Sequence, residues 1–224
     1  MSLIENFNLT HFANREQAGI LLAEKLLHLS GRSPVVLAIP RGGIVVAREI
    51  ALKLNAELDL IFIKKIGARG NPELAIGAVS EDGGVYRNEE LIRELMISEQ
   101  YIEKEISTQL KKLSEKAEIF SEYRNRPLLK NRLVIITDDG IATGATMISA
   151  INCINLQEPK SIFVALPVGP PDTIESISDM VDGMICLLTP EYFMAVGRFY
   201  EEFEQVSDSE VIKILKEFSH MKIS

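Results

Sequence analysis

The chain has 224 residues and carries 24 basic against 32 acidic side chains, a formal net charge of −8, with 46% hydrophobic and 25% charged residues. That is enough for one large α/β domain spanning 1–224, or a core with a small appendage. An acidic chain without an evident basic face argues against nucleic acid as the main ligand. No apolar run approaches the length of about 18 residues that a membrane span needs. Met1-Ser2-Leu3-Ile4-Glu5-Asn6 lacks the basic-then-apolar order of a secretory signal, so a cytoplasmic protein is expected.

Asn14-Arg15-Glu16-Gln17 reads as a helix start, with Asn14 as cap and Gln17 reaching back. Ile20, Leu21, Ala23, Leu26 and Leu27 give that helix its apolar stripe, and Ser30-Gly31-Arg32-Ser33-Pro34 ends it. Val35 to Ile39 is a continuous apolar run of the kind covered on both faces. Pro40-Arg41-Gly42-Gly43 follows, then a helix to about Leu54. Leu58 to Ile63 is a second buried strand, leading into Lys64-Lys65. Gly67, Gly70, Asn71, Pro72, Gly77 and Asp82-Gly83-Gly84 make 67–87 read as a loop entering a hairpin. Over 88–122, Leu91, Leu95, Ile102, Ile106, Leu110, Leu113 and Ala117 predict one long or two shorter amphipathic helices. Leu133 to Thr137 is the third strand, followed by a glycine-bearing turn and a helix to about Asn155. Ser161 to Leu166 and Gly183 to Leu188 are the fourth and fifth strands. Tyr192, Phe193, Phe199, Tyr200 and Phe203 concentrate aromatics in an aromatic-poor chain, and Ser207 caps a last helix. Strands alternating with helices predict a mostly parallel sheet flanked by helices, with ligands at the carboxyl ends of its strands.

The chemistry-bearing stretch is Leu133-Val134-Ile135-Ile136-Thr137-Asp138-Asp139-Gly140-Ile141-Ala142-Thr143-Gly144-Ala145-Thr146. A strand delivers two carboxylates to its end, and small residues then open a helix. Threonine hydroxyls and free helix-start N–H groups suit a phosphate dianion. Carboxylates repel that phosphate but accept hydrogen bonds from a vicinal diol a short way off. Ribose 5-phosphate has this layout. Receiver domains and metal-dependent phosphatases also carry paired aspartates but lack the Thr-Gly-x-Thr cradle. A Walker loop needs Gly-Lys-Ser/Thr, and the dinucleotide Gly-x-Gly-x-x-Gly is absent. Cys153 and Cys186 have no Cys or His beside them and read as buried thiols in a reducing compartment. His11, His28 and His220 are isolated near the chain ends.

The stretch resembles the signature of type I phosphoribosyltransferases, which use phosphoribosyl pyrophosphate (PRPP): an apolar strand, two acids, two or three small or apolar residues, then Thr-Gly-x-Thr. The resemblance implies that Asp138 and Asp139 hold the ribose hydroxyls and that Ala142, Thr143, Gly144, Ala145 and Thr146 cradle the 5′-phosphate. It assigns Arg41, Gly42 and Gly43 to a pyrophosphate loop, often built on a non-proline cis peptide. Lys65 and Arg69, with Lys64 behind them, fall where the family has a lid that closes on the departing pyrophosphate. It also implies Mg²⁺ held mainly through PRPP and not by direct protein ligands, and a homodimer. Residues 167–206 would be the hood over a nitrogenous, nucleobase-like acceptor, where Phe193, Phe199 or Tyr200 stack on a ring or serve as core contacts. Transferases for 6-oxopurines usually have aspartate where this chain has Ala142, which disfavours hypoxanthine or guanine. Ala38-Ile39-Pro40-Arg41-Gly42-Gly43, the run from Lys65 to Gly77, and Phe199-Tyr200-Glu201-Glu202-Phe203 resemble a bacterial branch of predicted phosphoribosyltransferases. The same fold also serves PRPP-sensing regulators without transferase activity, and PRPP consumption separates the two.

Overall fold

The computed structural model describes residues 10–219; the Met1–Asn6 stretch and His220 lie outside them. The strand β1 (Val35–Ala38) is apolar throughout because both its faces are covered. Val35 and Leu37 join one buried cluster, Val36 and Ala38 the other. Four more strands share this sheet: β2 (Glu57–Leu60), β6 (Leu133–Thr137), β7 (Ser161–Val168) and β8 (Gly183–Leu188). Their order is β2-β1-β6-β7-β8 and all four pairings are parallel.

Helices α1 (Arg15–Lys25), α2 (Gly43–Leu54) and α7 (Asp208–Ser219) cover one face, through Leu22, Ile50 and Leu215 among others. Helices α5 (Ala145–Asn155) and α6 (Pro171–Ser178) cover the opposite face through Met147, Ile151 and Ile177. The α1 start is capped as expected: Asn14 Oδ1 accepts from the Gln17 N–H at 2.9 Å, and Gln17 Oε1 accepts from the Ala13 N–H. The Ser207 hydroxyl likewise accepts from the Glu210 N–H at 3.2 Å at the start of α7.

A second, three-stranded antiparallel sheet, β3 (Ile63–Ala68), β4 (Asn71–Ser80) and β5 (Val85–Arg87), branches off after β2. It packs on helix α4 (Glu99–Glu118) through Ile66, Ile76, Ile102 and Leu113, and short helix α3 (Glu89–Glu94) leads into α4. The fold is therefore α/β, a parallel sheet flanked by helices with a small second sheet.

Two details depart from the pattern reading. The second strand ends at Leu60, and Ile63 already belongs to β3. Much of 67–87 is strand, because its glycines mark close backbone approach. A Cβ on Gly67 would sit 2.6 Å from the Pro72 carbonyl oxygen, and one on Gly77 would sit 2.5 Å from that of Tyr86.

The sheet has one topological switch. From β1 the chain goes outward to β2, and later returns to β6 on the other side of β1. The loops leaving β1 and β6 part there, which opens a crevice at the carboxyl edge between them.

Candidate active site

Ala38 pairs with Thr137, so the loops after these two residues emerge side by side. The ladder runs one step further, with the Ile39 N–H donating to the Thr137 carbonyl at 3.0 Å. The first loop then turns through a cis peptide between Pro40 and Arg41. Its glycines lie flat against the acidic pair. A Cβ on Gly42 would fall 1.8 Å from Asp139 Oδ2, and one on Gly43 would fall 2.9 Å from Asp138 Cα. No side chain fits at either position, so the backbone of Arg41–Gly43 and the two carboxyls share one small space.

Asp138 and Asp139 are fixed from several directions. The Asp139 N–H donates to Asp138 Oδ1 at 2.8 Å. The buried Tyr200 hydroxyl donates to the Asp139 carbonyl at 2.6 Å. Arg15, from the first turn of α1, donates through Nε to Asp139 Oδ2 at 2.7 Å. Burial pushes the Asp138 carboxyl well above the usual carboxylate range, and the adjacent Asp139 charge adds to the shift. Asp138 is thus the harder of the two acids to ionise, beside a carboxylate that is paired with Arg15.

Gly140, at φ +145°, turns the chain away from the acids, and Ile141 anchors it by donating to the Val168 carbonyl at 3.0 Å. Ala142, Thr143 and Thr146 are exposed. Gly144 stands at the helix cap with φ +69° and offers no side-chain cap, so among the described residues the first-turn amides of α5 keep no capping acceptor beyond a long 3.4 Å contact from Ala145 N to Thr143 Oγ1. A helix start of this kind, with two hydroxyls beside it, is suited to an anion.

The cations expected around the site divide. Arg41 Nη1 lies 3.3 Å from Asp208 Oδ1, at the start of α7. Lys65 is held by Glu73 across the β3–β4 hairpin at 2.7 Å, and Arg69 is exposed at the hairpin turn. Lys116 of α4 sits over the Phe62 ring at 5.7 Å. Its pKa is lowered first by burial, then by the charges of Lys64 and Arg41. Lys64 and Lys116 thus share a cationic neighbourhood with Arg41. Lys116 has no motif around it and was missed in the sequence.

Arg15 was also missed. Its signal was an unfavourable one: a cation in the first turn of a helix opposes the macrodipole and needs another purpose. The aromatic segment closes the site on the same side. Tyr200 stacks between Phe12 and Phe203, at 5.3 and 4.9 Å, and is a core contact. Phe199 stacks on Phe193 at 5.5 Å. Tyr192 and Met194 stand exposed at the lip. Of the 167–206 stretch, α6 and β8 belong to the main sheet, and 190–206 is the part that touches the acidic pair.

A cavity of about 490 Å³ lies on the β2 side, lined by Leu37, Asp59, Glu81, Arg124 and Cys153 among others, and includes neither the acidic pair nor residues 40–43. Among the described residues no group of three or more His, Cys, Asp or Glu side chains could hold a metal ion, and no helix is long and apolar enough to cross a membrane.

Comparison with known proteins gives a consistent outcome. The model of the phosphoribosyl transferase domain matches residues 80–200, which include the acidic pair and the helix start. The crystal structure of TT1426 from Thermus thermophilus superposes with a TM-score of 0.87 at 40% identity, covering 93% of this chain and 99% of that one. Two Mycobacterium tuberculosis proteins, MT0597 and Rv0571c, provisionally named as phosphoribosyl transferases, are each 40% identical over 204 residues. That span is 91% of this chain but 46% of theirs, so the chain spans about half the length of these two relatives.

Proposed function

The chain belongs to the phosphoribosyl transferase family, and from that premise we propose that it binds PRPP at the crevice between β1 and β6 and transfers its phosphoribosyl group to a nitrogenous, nucleobase-like acceptor. One observation carries the reading. A paired carboxyl group and an uncapped, threonine-bearing helix start leave the same strand, while glycines of the neighbouring loop lie in contact with the carboxyls.

The roles follow from the chemistry of each group. The α5 amides with the hydroxyls of the exposed Thr143 and Thr146 take the 5′-phosphate, along positions 142–146. Asp138 and Asp139 take the ribose hydroxyls. The backbone of Gly42 and Gly43 takes the diphosphate, which also replaces Asp208 as the partner of Arg41. As the acceptor nitrogen attacks C1′ and the C1′–O bond to pyrophosphate breaks, positive charge grows on the ribose ring and negative charge on the leaving group. The carboxyls stabilise the first, and Arg41 with Lys64 the second. Lys65 and Arg69 reach the leaving group only if the β3–β4 hairpin bends inward and Lys65 exchanges Glu73 for phosphate.

Because Arg15 and the Asp139 amide already engage the acidic pair, a Mg²⁺ ion would be held mainly through the bound ligand, with Asp138 and Asp139 contributing through the ribose hydroxyls. Such an ion supplies charge neutralisation of the pyrophosphate. We further propose that the protein acts as a homodimer in the cytoplasm, and that 190–206 with Phe193 and Tyr192 borders the acceptor.

A second reading, a PRPP sensor without transferase activity, is favoured by one observation: Arg41 and Lys65, two cations expected to serve the leaving group, are paired with Asp208 and Glu73. Calorimetry with PRPP and Mg²⁺, followed by a pyrophosphate-release screen over free nucleobases, tests both. Binding with release names a transferase and its acceptor. Binding without release from any base supports the sensor. No binding removes both readings.

A further inference from the structure

We infer that Arg15, which belongs to no motif of the site, is a positioning residue for the ribose end of the ligand and ties the 200–206 segment to it. The inference rests on the PRPP reading above and adds a residue and a coupling to it.

The contacts of Arg15 engage the guanidinium on its edge and on its face. Nε donates to Asp139 Oδ2 at 2.7 Å, Nη1 donates to the Glu204 carbonyl at 2.8 Å, and the carbon of the guanidinium lies 3.7 Å from the centre of the Phe203 ring. The side chain is 11% exposed and that of Asp139 is 16% exposed. A Cβ on Gly42 would sit 3.0 Å from Arg15 Nε, so the arginine also borders the proposed pyrophosphate loop. Three parts of the chain, α1, the loop after β6 and the segment before α7, meet on this one planar group. A lysine cannot reproduce the arrangement, because an ammonium has neither a flat face for Phe203 nor the fork that reaches two acceptors in fixed directions.

Two consequences follow for the ligand. First, the Asp139 carboxylate is held in one orientation, ready to accept from a ribose hydroxyl, while among the described residues Asp138 beside it has no hydrogen-bonded cation of its own. Second, a shift of Phe203 or Glu204 is transmitted to Asp139 through Arg15. The segment that borders the proposed acceptor site and the carboxylate that grips ribose move as one unit. Tyr200 adds a parallel tie, through its hydroxyl bond to the Asp139 carbonyl.

The experiment compares wild type, Arg15→Lys, Arg15→Met and Phe203→Leu by calorimetry against three probes with Mg²⁺: PRPP, ribose 5-phosphate and inorganic pyrophosphate. Thermal unfolding is recorded alongside. Arg15→Met is expected to weaken PRPP and ribose 5-phosphate by about tenfold or more, the scale of a charge-assisted hydrogen bond, and to leave pyrophosphate within about twofold. Arg15→Lys recovers part of that loss. Phe203→Leu, which leaves the ion pair intact, weakens ribose 5-phosphate by roughly threefold through poorer orientation. If Arg15→Met unfolds, the lysine and Phe203 variants carry the test by the same ratio of ribose 5-phosphate to pyrophosphate affinity. Equal affinities for ribose 5-phosphate in all variants overturn the inference and leave the PRPP reading standing. So does a loss shared equally by all three probes, which marks a scaffold role only. A wild type that binds neither ribose compound overturns the PRPP reading and this inference together.

Discussion

Among the described residues, two of the places where an arginine meets a pair of acids lie beside the parallel sheet and are built differently. At the β2 flank, Arg124 lies between Asp59 and Glu81 and bonds to both, with Arg124 and Asp59 side chains only 5% and 2% exposed. The Leu60 and Arg126 amides complete Asp59, and the Leu60 carbonyl takes another Arg124 N–H. At the β1–β6 crevice the acids are neighbours in sequence, and Arg15 reaches only one of them, from the side. The first arrangement is closed. The second leaves Asp138 facing a like charge next to exposed threonines and an uncapped helix. Similar composition thus gives a closed brace in one place and an open acidic pair, the proposed ribose site, in the other, and the position of the cation separates the two.

Separating the two clusters by mutation is the most direct way to break this comparison. Arg124→Met strands Asp59 and Glu81 in the interior and is expected to cost about 3–5 kcal/mol of stability, read from denaturant unfolding. The folded fraction should bind PRPP as wild type does; a large loss of affinity there would dissolve the distinction. At the crevice, Asp139→Asn and Gly42→Ala should cut PRPP affinity by roughly 10–100-fold with the fold retained, measured by calorimetry and circular dichroism. In Gly42→Ala the new methyl displaces the Asp139 carboxylate. Thr143→Val should cost about tenfold in both PRPP and ribose 5-phosphate and leave pyrophosphate unaffected.

A smaller effect has the opposite sign. Because burial raises the folded-state pKa of Asp138, its contribution to stability is present in acid, below the unfolded value of 3.8, and is lost as pH rises through the folded value. Asp138→Asn removes that loss. Its melting temperature should exceed that of wild type by a few degrees at neutral pH and converge with it in acid. The smallest effect separates the two thiols. Burial lifts Cys153, beside the cavity, from 9.0 to about 11, and Cys186, on β8, from 9.0 to about 12. Each adds stability below pH 9 that is lost as pH rises through its folded value. Cys153→Ala should flatten the alkaline limb of the stability curve from pH 9 to about 11, and Cys186→Ala from pH 9 to about 12.

Much of this architecture is visible in the sequence because it rests on local pattern. Continuous apolar runs gave the buried strands, and the acid pair followed by Thr-Gly-Ala-Thr marked the strand end that meets a helix start. Arg15 and Lys116 were not visible, because Arg15 meets Asp139 from a distant helix, Lys116 comes near Lys64 and Arg41 from another, and neither carries a neighbouring signal. The hairpin expected within 67–87 is present but more of the segment is strand than its glycines suggest, since Gly67 and Gly77 look like turn residues and in fact admit a neighbouring strand's backbone. The rivalry of Asp208 for Arg41 depends on how α7 docks, which no local spacing encodes.

The pairing of Ala38 with Thr137 joins positions about a hundred residues apart in the chain. The crevice therefore comes into being only after the second sheet and α4 have been synthesised and β6 has inserted beside β1. A growing chain that has not reached β6 has only half of the proposed ligand site, so a ligand bound there cannot assist early collapse. Ligand added later acts on the completed sheet alone, and its free energy of binding is placed on the contact that was hardest to make. Hydrogen exchange should show this as protection gained first in β1 and β6, in advance of any change at the β3–β5 sheet.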